Sequence, residues 1–136
     1  MESTLRMLLV TWLTLLAAMA GYTTLCFFAV VHVTPSPVMI RAISIVAASE
    51  VIVLFVLRRK SVLPAAATLS IQAEDVAALA RWKTGQIVTW ALSLSIALYG
   101  LVLRYIGFSF PQTAPFFIAG FVLMLFYLPR RPVPTR

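Results

Sequence analysis

The residue with the clearest chemical potential is Glu50, a carboxylate in the middle of a long apolar run. This run, MIRAISIVAASEVIVLFVL, covers residues 39–57 and is followed at once by the basic triplet Arg58-Arg59-Lys60. Placing a charged side chain at the centre of a bilayer costs roughly 2.5–3.5 kcal/mol on insertion scales. A carboxyl group at this depth can carry a proton, bind a cation or join two helices by a hydrogen bond. Glu50 is therefore the first candidate for a functional site.

Two hydroxyl side chains are the expected partners of Glu50. At 1.5 Å per residue, Glu50 lies about 10 Å from the basic end of its helix, and Thr14 and Ser93 reach the same depth. Because hydrocarbon disfavours the ionised form of an isolated carboxylate, we expect Glu50 to be neutral and to donate to Ser93, Thr14 or a backbone carbonyl. Arg41 and Arg104 both lie at a different depth from Glu50, so neither is an easy ion-pair partner for it. A packing role, a proton or cation role and a contact with another membrane subunit all remain open.

The third apolar run carries a stripe of small and polar side chains. Its members recur at spacings of three and four residues, which places them on one face of a helix. Such residues let helices approach closely and hydrogen-bond across the contact. We therefore predict a helix-packing stripe formed by Gln86, Thr89, Ser93, Ala97 and Gly100.

The composition predicts a membrane protein. Of the 136 residues, 62% are hydrophobic and only 11% are charged, and the mean hydropathy is +1.00. Soluble domains contain about 25% charged residues, so this chain cannot build an ordinary water-facing surface. The net charge of +7 does not indicate nucleic-acid binding, because the basic residues flank apolar runs instead of gathering on one folded face.

The apolar runs predict an all-α membrane protein with four transmembrane helices in one domain, residues 1–136. About 20 residues cross a bilayer, and the runs place helices at about 7–33, 39–57, 85–104 and 114–128. Prolines in the links HVTPSPV and GFSFPQT cannot continue a helix, so we expect two antiparallel hairpins. The start of the first run resembles a signal peptide, but its apolar character continues past Gly21, which favours an uncleaved helix.

The segment 58–84 is the one long connector between spans. We expect Pro64 to interrupt the chain and a short surface helix to begin at an N-cap Ser70, with a plain alanine-rich connector as the alternative. Trp12, Trp82 and Trp90 are predicted to form an interfacial belt.

The basic residues predict the orientation. Arg41 and Arg104 lie on one side, and the other nine lie on the opposite side: Arg6, Arg58, Arg59, Lys60, Arg81, Lys83, Arg130, Arg131 and Arg136. The positive-inside rule then places both termini and the connector in the cytoplasm.

The sequence offers no catalytic or metal-binding constellation. The single cysteine, Cys26, lacks spaced partners, and the single histidine, His32, is expected to be interfacial. We find no glycine-rich phosphate loop and no serine–histidine–acid set. We therefore expect a protein that is not an enzyme and that needs no cofactor or metal.

One local resemblance accompanies these observations. The stretch Ala91–Val102, ALSLSIALYGLV, is similar to the carboxylate-bearing helix of rotary ATP synthase subunit c, where a pattern like A-L-x-E-x-x-x-x-Y-G-L-V is common. The resemblance covers about 12 residues and implies at most a related helical hairpin. In that family the carboxylate would fall on Leu94, which cannot bind a proton, so the family's activity is not implied here.

These patterns together predict a small multi-pass protein of a prokaryotic-type cytoplasmic membrane. Its expected role is a non-catalytic packing or assembly component of a membrane complex. The alternative is a small proton- or cation-handling protein that uses Glu50. Its expected partners are the lipid bilayer and other membrane subunits or further copies of itself, and not nucleic acid.

Overall fold

The computed structural model describes residues 2–29, 34 and 36–132, and within these residues it contains helices and no strand. The first link, including His32, lies outside the described residues. The elements are α1 (Glu2–Phe28), α2 (Pro37–Leu57), a π-helical segment (Arg58–Val62), α3 (Leu63–Ile71), α4 (Val76–Ile106) and α5 (Phe110–Phe126).

The second helix does not end at its basic triplet, and this corrects the predicted connector at 58–84. α2, the π-helical segment and α3 form one helix, Pro37–Ile71, of 35 residues. Pro64 has no N–H to donate to the preceding turn. The wider π-helical turn just before it accommodates this loss, and Leu63 N–H donates to the Arg58 carbonyl five residues earlier.

The next helix begins after a short link, residues 72–75, and not at Ser70. Ser70 lies inside α3, where its hydroxyl donates to the Ala67 carbonyl at 2.7 Å. The N-cap is Asp75, whose carboxylate accepts from the Ala78 N–H at 2.9 Å. As a result, α4 begins nine residues before the start predicted from hydropathy.

α4 is the central helix of the bundle. It packs against α1, α2, α3 and α5, whereas α1 and α2 make no contact with each other within the described residues. The expected first hairpin is therefore not a packed pair. Two packed hairpins are present among the described residues: Pro37–Ile71 with α4, joined by the link at 72–75, and α4 with α5, which is the expected second hairpin.

The turn between α4 and α5 is built around Gly107. This residue has a φ of 117°, a left-handed conformation that glycine adopts without strain. Phe108 N–H then donates to the Leu103 carbonyl at 3.1 Å. Ser109 and Gln112 form a reciprocal capping box, and this explains why α5 begins at Phe110, before its predicted start at 114.

Among the described residues, three helices are long and apolar enough to cross a membrane: Glu2–Phe28, Pro37–Ile71 and Val76–Ile106. α5 is apolar but shorter, at 17 residues. The start of α1 and the segment after α5 lie at the same end of the bundle, since Arg131 approaches Glu2 to 3.5 Å.

The three tryptophans do not form an exposed interfacial belt. Trp12, Trp82 and Trp90 are all buried. The indole N–H of Trp12 donates to the Met124 carbonyl at 2.9 Å, and that of Trp90 donates to the Tyr127 carbonyl at 2.9 Å. These bonds satisfy carbonyls at the end of α5 that have no partner within the helix, so the rings join α1 and α4 to α5.

Candidate functional site

Glu50 lies at the contact between α2 and α4 and is bonded to Tyr99. The Tyr99 hydroxyl donates to Glu50 Oε1 and so links α2 to the central helix, α4. Glu50 is half-buried, and its second oxygen, Oε2, is buried without a hydrogen-bond partner among the described residues. One carboxyl oxygen therefore accepts an interhelical hydrogen bond, and the other has no hydrogen-bond partner among the described residues.

The two hydroxyls expected beside Glu50 have other partners, which corrects the predicted site. Thr14 is exposed on α1, and its Oγ1 donates to the Val10 carbonyl at 2.9 Å. Ser93 is buried, and its Oγ donates to the Thr89 carbonyl at 2.9 Å. Each bonds the carbonyl four residues earlier in its own helix, a common alternative for hydroxyls inside helices.

Tyr99 was missed because its depth depends on where the hairpin turns. The link at 72–75 sets the antiparallel register of α2 and α4. This register brings Arg58 beside Gln86 and Glu50 beside Tyr99. The sequence predicts a long connector at 58–84, and such a connector does not determine how α2 and α4 align. The sequence alone therefore did not indicate the Glu50–Tyr99 pair.

A second polar cluster is centred on Arg58, which the sequence suggested was only a flanking charge. Its Nη1 donates to Gln86 Oε1 at 3.2 Å and lies 3.4 Å from Thr89 Oγ1. The guanidinium carbon lies 3.8 Å from the centre of the Tyr127 ring, which is within the range of a cation–π interaction. Arg58 thus joins the π-helical segment, α4 and the segment after α5.

A third cluster lies at the opposite end of the bundle, around Arg104. Its Nε and Nη2 donate to the carbonyls of Cys26 and Ala29 at 3.0 and 2.6 Å, and its Nη1 donates to the Phe108 carbonyl at 3.0 Å. The first two carbonyls belong to the end of α1, where helices have no partners of their own. Arg104 therefore ties the end of α1 to α4 and to the turn before α5.

The predicted packing stripe faces the interior of the bundle. All five of its residues, Gln86, Thr89, Ser93, Ala97 and Gly100, are buried on α4. Gly120 of α5 lies against this stripe, close to the Ser93 carbonyl and the Ala97 side chain. Part of the stripe thus lies in the close contact between α4 and α5.

Within the described residues no group of three or more histidine, cysteine, aspartate or glutamate side chains could hold a metal ion. No family model, curated protein or solved structure matches the chain. Its function is therefore inferred from its own geometry, in which Glu50, Arg58 and Arg104 each form hydrogen bonds between different helices.

Proposed function

We propose that this is a multi-pass protein of a prokaryotic-type cytoplasmic membrane that serves as a non-catalytic assembly component of a membrane complex. The observation that carries the proposal is the position of α2. Among α1, α4 and α5, it packs only against α4, and the Glu50–Tyr99 bond holds it there. The other sides of α2 are left for lipid or for a partner helix.

The outer surface of α2 supports a helical partner. Ile45, Ile52 and Val53 are large apolar residues with 71%, 64% and 55% of their surfaces exposed. Between α2 and α5 lies an open groove of about 330 Å³, whose lining includes Ser44 and Ala119. Small residues beside apolar ones permit close approach of another transmembrane helix.

The proposed topology has four spans with both termini in the cytoplasm. The basic residues give the orientation, since nine of eleven flank the same ends of the predicted spans. The 17 residues of α5 extend about 26 Å, which nearly crosses a hydrocarbon core of about 30 Å. The approach of Arg131 to Glu2 agrees with termini on one side.

Site-specific photo-crosslinking in native membranes tests the assembly role. A benzophenone amino acid at Ile52 is expected to give an adduct of discrete mass with a membrane-protein subunit or a second copy. The matched control is Val10, which has a similar exposed fraction of 61% but lies on α1, and there we expect no discrete adduct. Lipid adducts alone at both positions would contradict the proposal, and the adduct mass distinguishes a second copy from another subunit.

A second candidate function is proton or cation handling at Glu50. It is favoured by one specific observation, the buried Oε2 that has no hydrogen-bond partner in the described part of the chain. A protonatable group in an apolar setting is the usual component of an intramembrane proton relay.

The substitutions Glu50→Gln and Tyr99→Phe separate the two functions. Glutamine keeps an oxygen that accepts from Tyr99, so we expect it to preserve the Ile52 adduct and to change stability by less than about 0.5 kcal/mol. Tyr99→Phe removes the donor and is expected to lower stability by about 0.5–1.5 kcal/mol, measured as thermal unfolding in detergent. Proteoliposomes with a pH-sensitive dye are expected to show no protein-dependent proton flux. A flux that wild type supports and Glu50→Gln abolishes would instead establish the second function.

A further inference from the structure

A large cationic cavity lies at the Arg58 end of the bundle. It has a volume of about 1100 Å³ and is bounded by Pro37–Ile71, the first turns of α4, and α5 with the segment that follows it. Four arginines line it: Arg58, Arg59, Arg130 and Arg131. None of its lining residues within the described part of the chain is acidic. The open cavity therefore gathers four positive charges on one surface.

The arginines differ in how firmly they are held. Arg58 is half-buried and is positioned by Gln86, Thr89 and Tyr127. Arg59 and Arg130 are exposed. Arg131 is also exposed, and its 3.5 Å approach to Glu2 is a surface ion pair, which contributes little to stability. The cavity thus has one guanidinium held by hydrogen bonds and three exposed ones, which we call its rim.

The same cavity has an apolar side. Phe55 on α2, together with Val122, Leu125 and Phe126 on α5, lines it and is largely exposed. These side chains lie on the apolar helices just before the basic residues begin. In a bilayer this is the depth at which acyl chains meet the head-group region.

We propose that this cavity binds an anionic glycerophospholipid. The guanidinium groups match the geometry of a phosphate, which they can hold with paired, charge-assisted hydrogen bonds. The acyl chains would lie along Phe55, Val122 and Leu125. Basic pockets between transmembrane helices on the cytoplasmic side are typical sites for anionic head groups. A free phosphate or an acidic peptide would use the arginines but leave the apolar side uncovered.

This inference goes beyond the assembly role and requires only that the protein lie in a membrane. Native mass spectrometry of the delipidated protein, titrated with phosphatidylglycerol or phosphatidylcholine, tests it. We expect wild type to prefer phosphatidylglycerol by about tenfold or more, since each basic residue near the head groups adds a substantial electrostatic attraction.

Two triple variants with equal charge loss locate the site. Arg59→Gln/Arg130→Gln/Arg131→Gln removes the rim of the cavity, and we expect it to abolish the preference for phosphatidylglycerol. Arg6→Gln/Lys60→Gln/Arg81→Gln removes three exposed cations that do not line the cavity, and we expect the preference to stay within about twofold of wild type. Equal losses in both triples, or no preference in wild type, would overturn the proposal.

Two further measurements distinguish a lipid from a free anion. Leu125→Ala is expected to weaken binding of long-chain phosphatidylglycerol at least about threefold, since it removes apolar contact, and to leave dihexanoyl phosphatidylglycerol nearly unchanged. Excess inorganic phosphate is expected not to displace the bound lipid. Full displacement by phosphate, together with no effect of Leu125→Ala, would show a simple anion site and contradict the lipid assignment.

Discussion

Replacement of Gly120 by valine is expected to lower stability more than any other apolar substitution in α5. A Cβ atom at this position would lie 3.0 Å from the Ser93 carbonyl oxygen and 3.1 Å from the Ala97 Cβ. Valine adds two further methyl groups, and the backbone of α4 cannot move away without disturbing its contacts with α1, α2, α3 and the π-helical segment. Overpacking of this kind costs about 1–3 kcal/mol or more. Thermal unfolding in detergent and the yield of monodisperse protein measure the loss.

The chain offers a matched control in Gly21. A Cβ built there meets nothing within 4 Å, so Gly21→Val introduces the same side chain on a helix surface. We expect Gly21→Val to be as stable as wild type or slightly more stable, because glycine is a poor helix former. If the two variants unfolded at the same temperature, the close approach of α4 and α5 would be refuted.

Arg104→Gln is expected to give the second large loss of stability. The substitution removes the donors that satisfy the carbonyls of Cys26, Ala29 and Phe108, and a glutamine amide cannot reach all three. Hydrogen bonds from charged groups contribute about 1.5–3 kcal/mol each, so we expect a net loss of about 2–4 kcal/mol. The measurement is again the thermal unfolding of the purified protein.

Two comparisons make the Arg104 prediction specific. Arg41→Gln removes the other basic residue predicted on this side; Arg41 is exposed and makes no hydrogen bond within the described residues. We expect it to change stability by less than about 0.5 kcal/mol. Arg104→Lys keeps the charge but not the planar fork of donors, so it should recover only part of the loss. Wild-type stability in Arg104→Lys would mean that charge alone matters.

The fold class followed from the sequence, and the register did not. In lipid, a backbone must satisfy its hydrogen bonds within its own segment, so long apolar runs were expected to form helices long enough to cross a membrane. Within the described residues, three of the four predicted helices have this length and apolar character. The break predicted at Pro64 was wrong, because the π-helical turn before it compensates for the missing N–H. Without the short link at 72–75, no register could be assigned, and the pairing of Glu50 with Tyr99 followed from that register.

The arginines show a second limit of sequence reasoning. The positive-inside rule treats Arg58 and Arg104 as solvent-exposed charges that flank apolar runs. Each instead reaches back into the bundle, where its guanidinium meets acceptors from other elements. A side chain with several donors can satisfy helix ends that are far apart in the chain, and the spacing of the residues does not reveal this.

The continuous helix Pro37–Ile71 is longer than the thickness of a bilayer's hydrocarbon core. Its 35 residues measure about 52 Å at 1.5 Å per residue, whereas the hydrocarbon core is about 30 Å thick. Tilts of up to about 40° do not remove this difference, so in a bilayer roughly 10–20 Å of the helix would extend beyond the hydrocarbon core. Glu74 and Asp75, two of the four acidic residues, lie at its tip. The acidic link 72–75 would therefore lie outside the hydrocarbon core, at the far end of this helix.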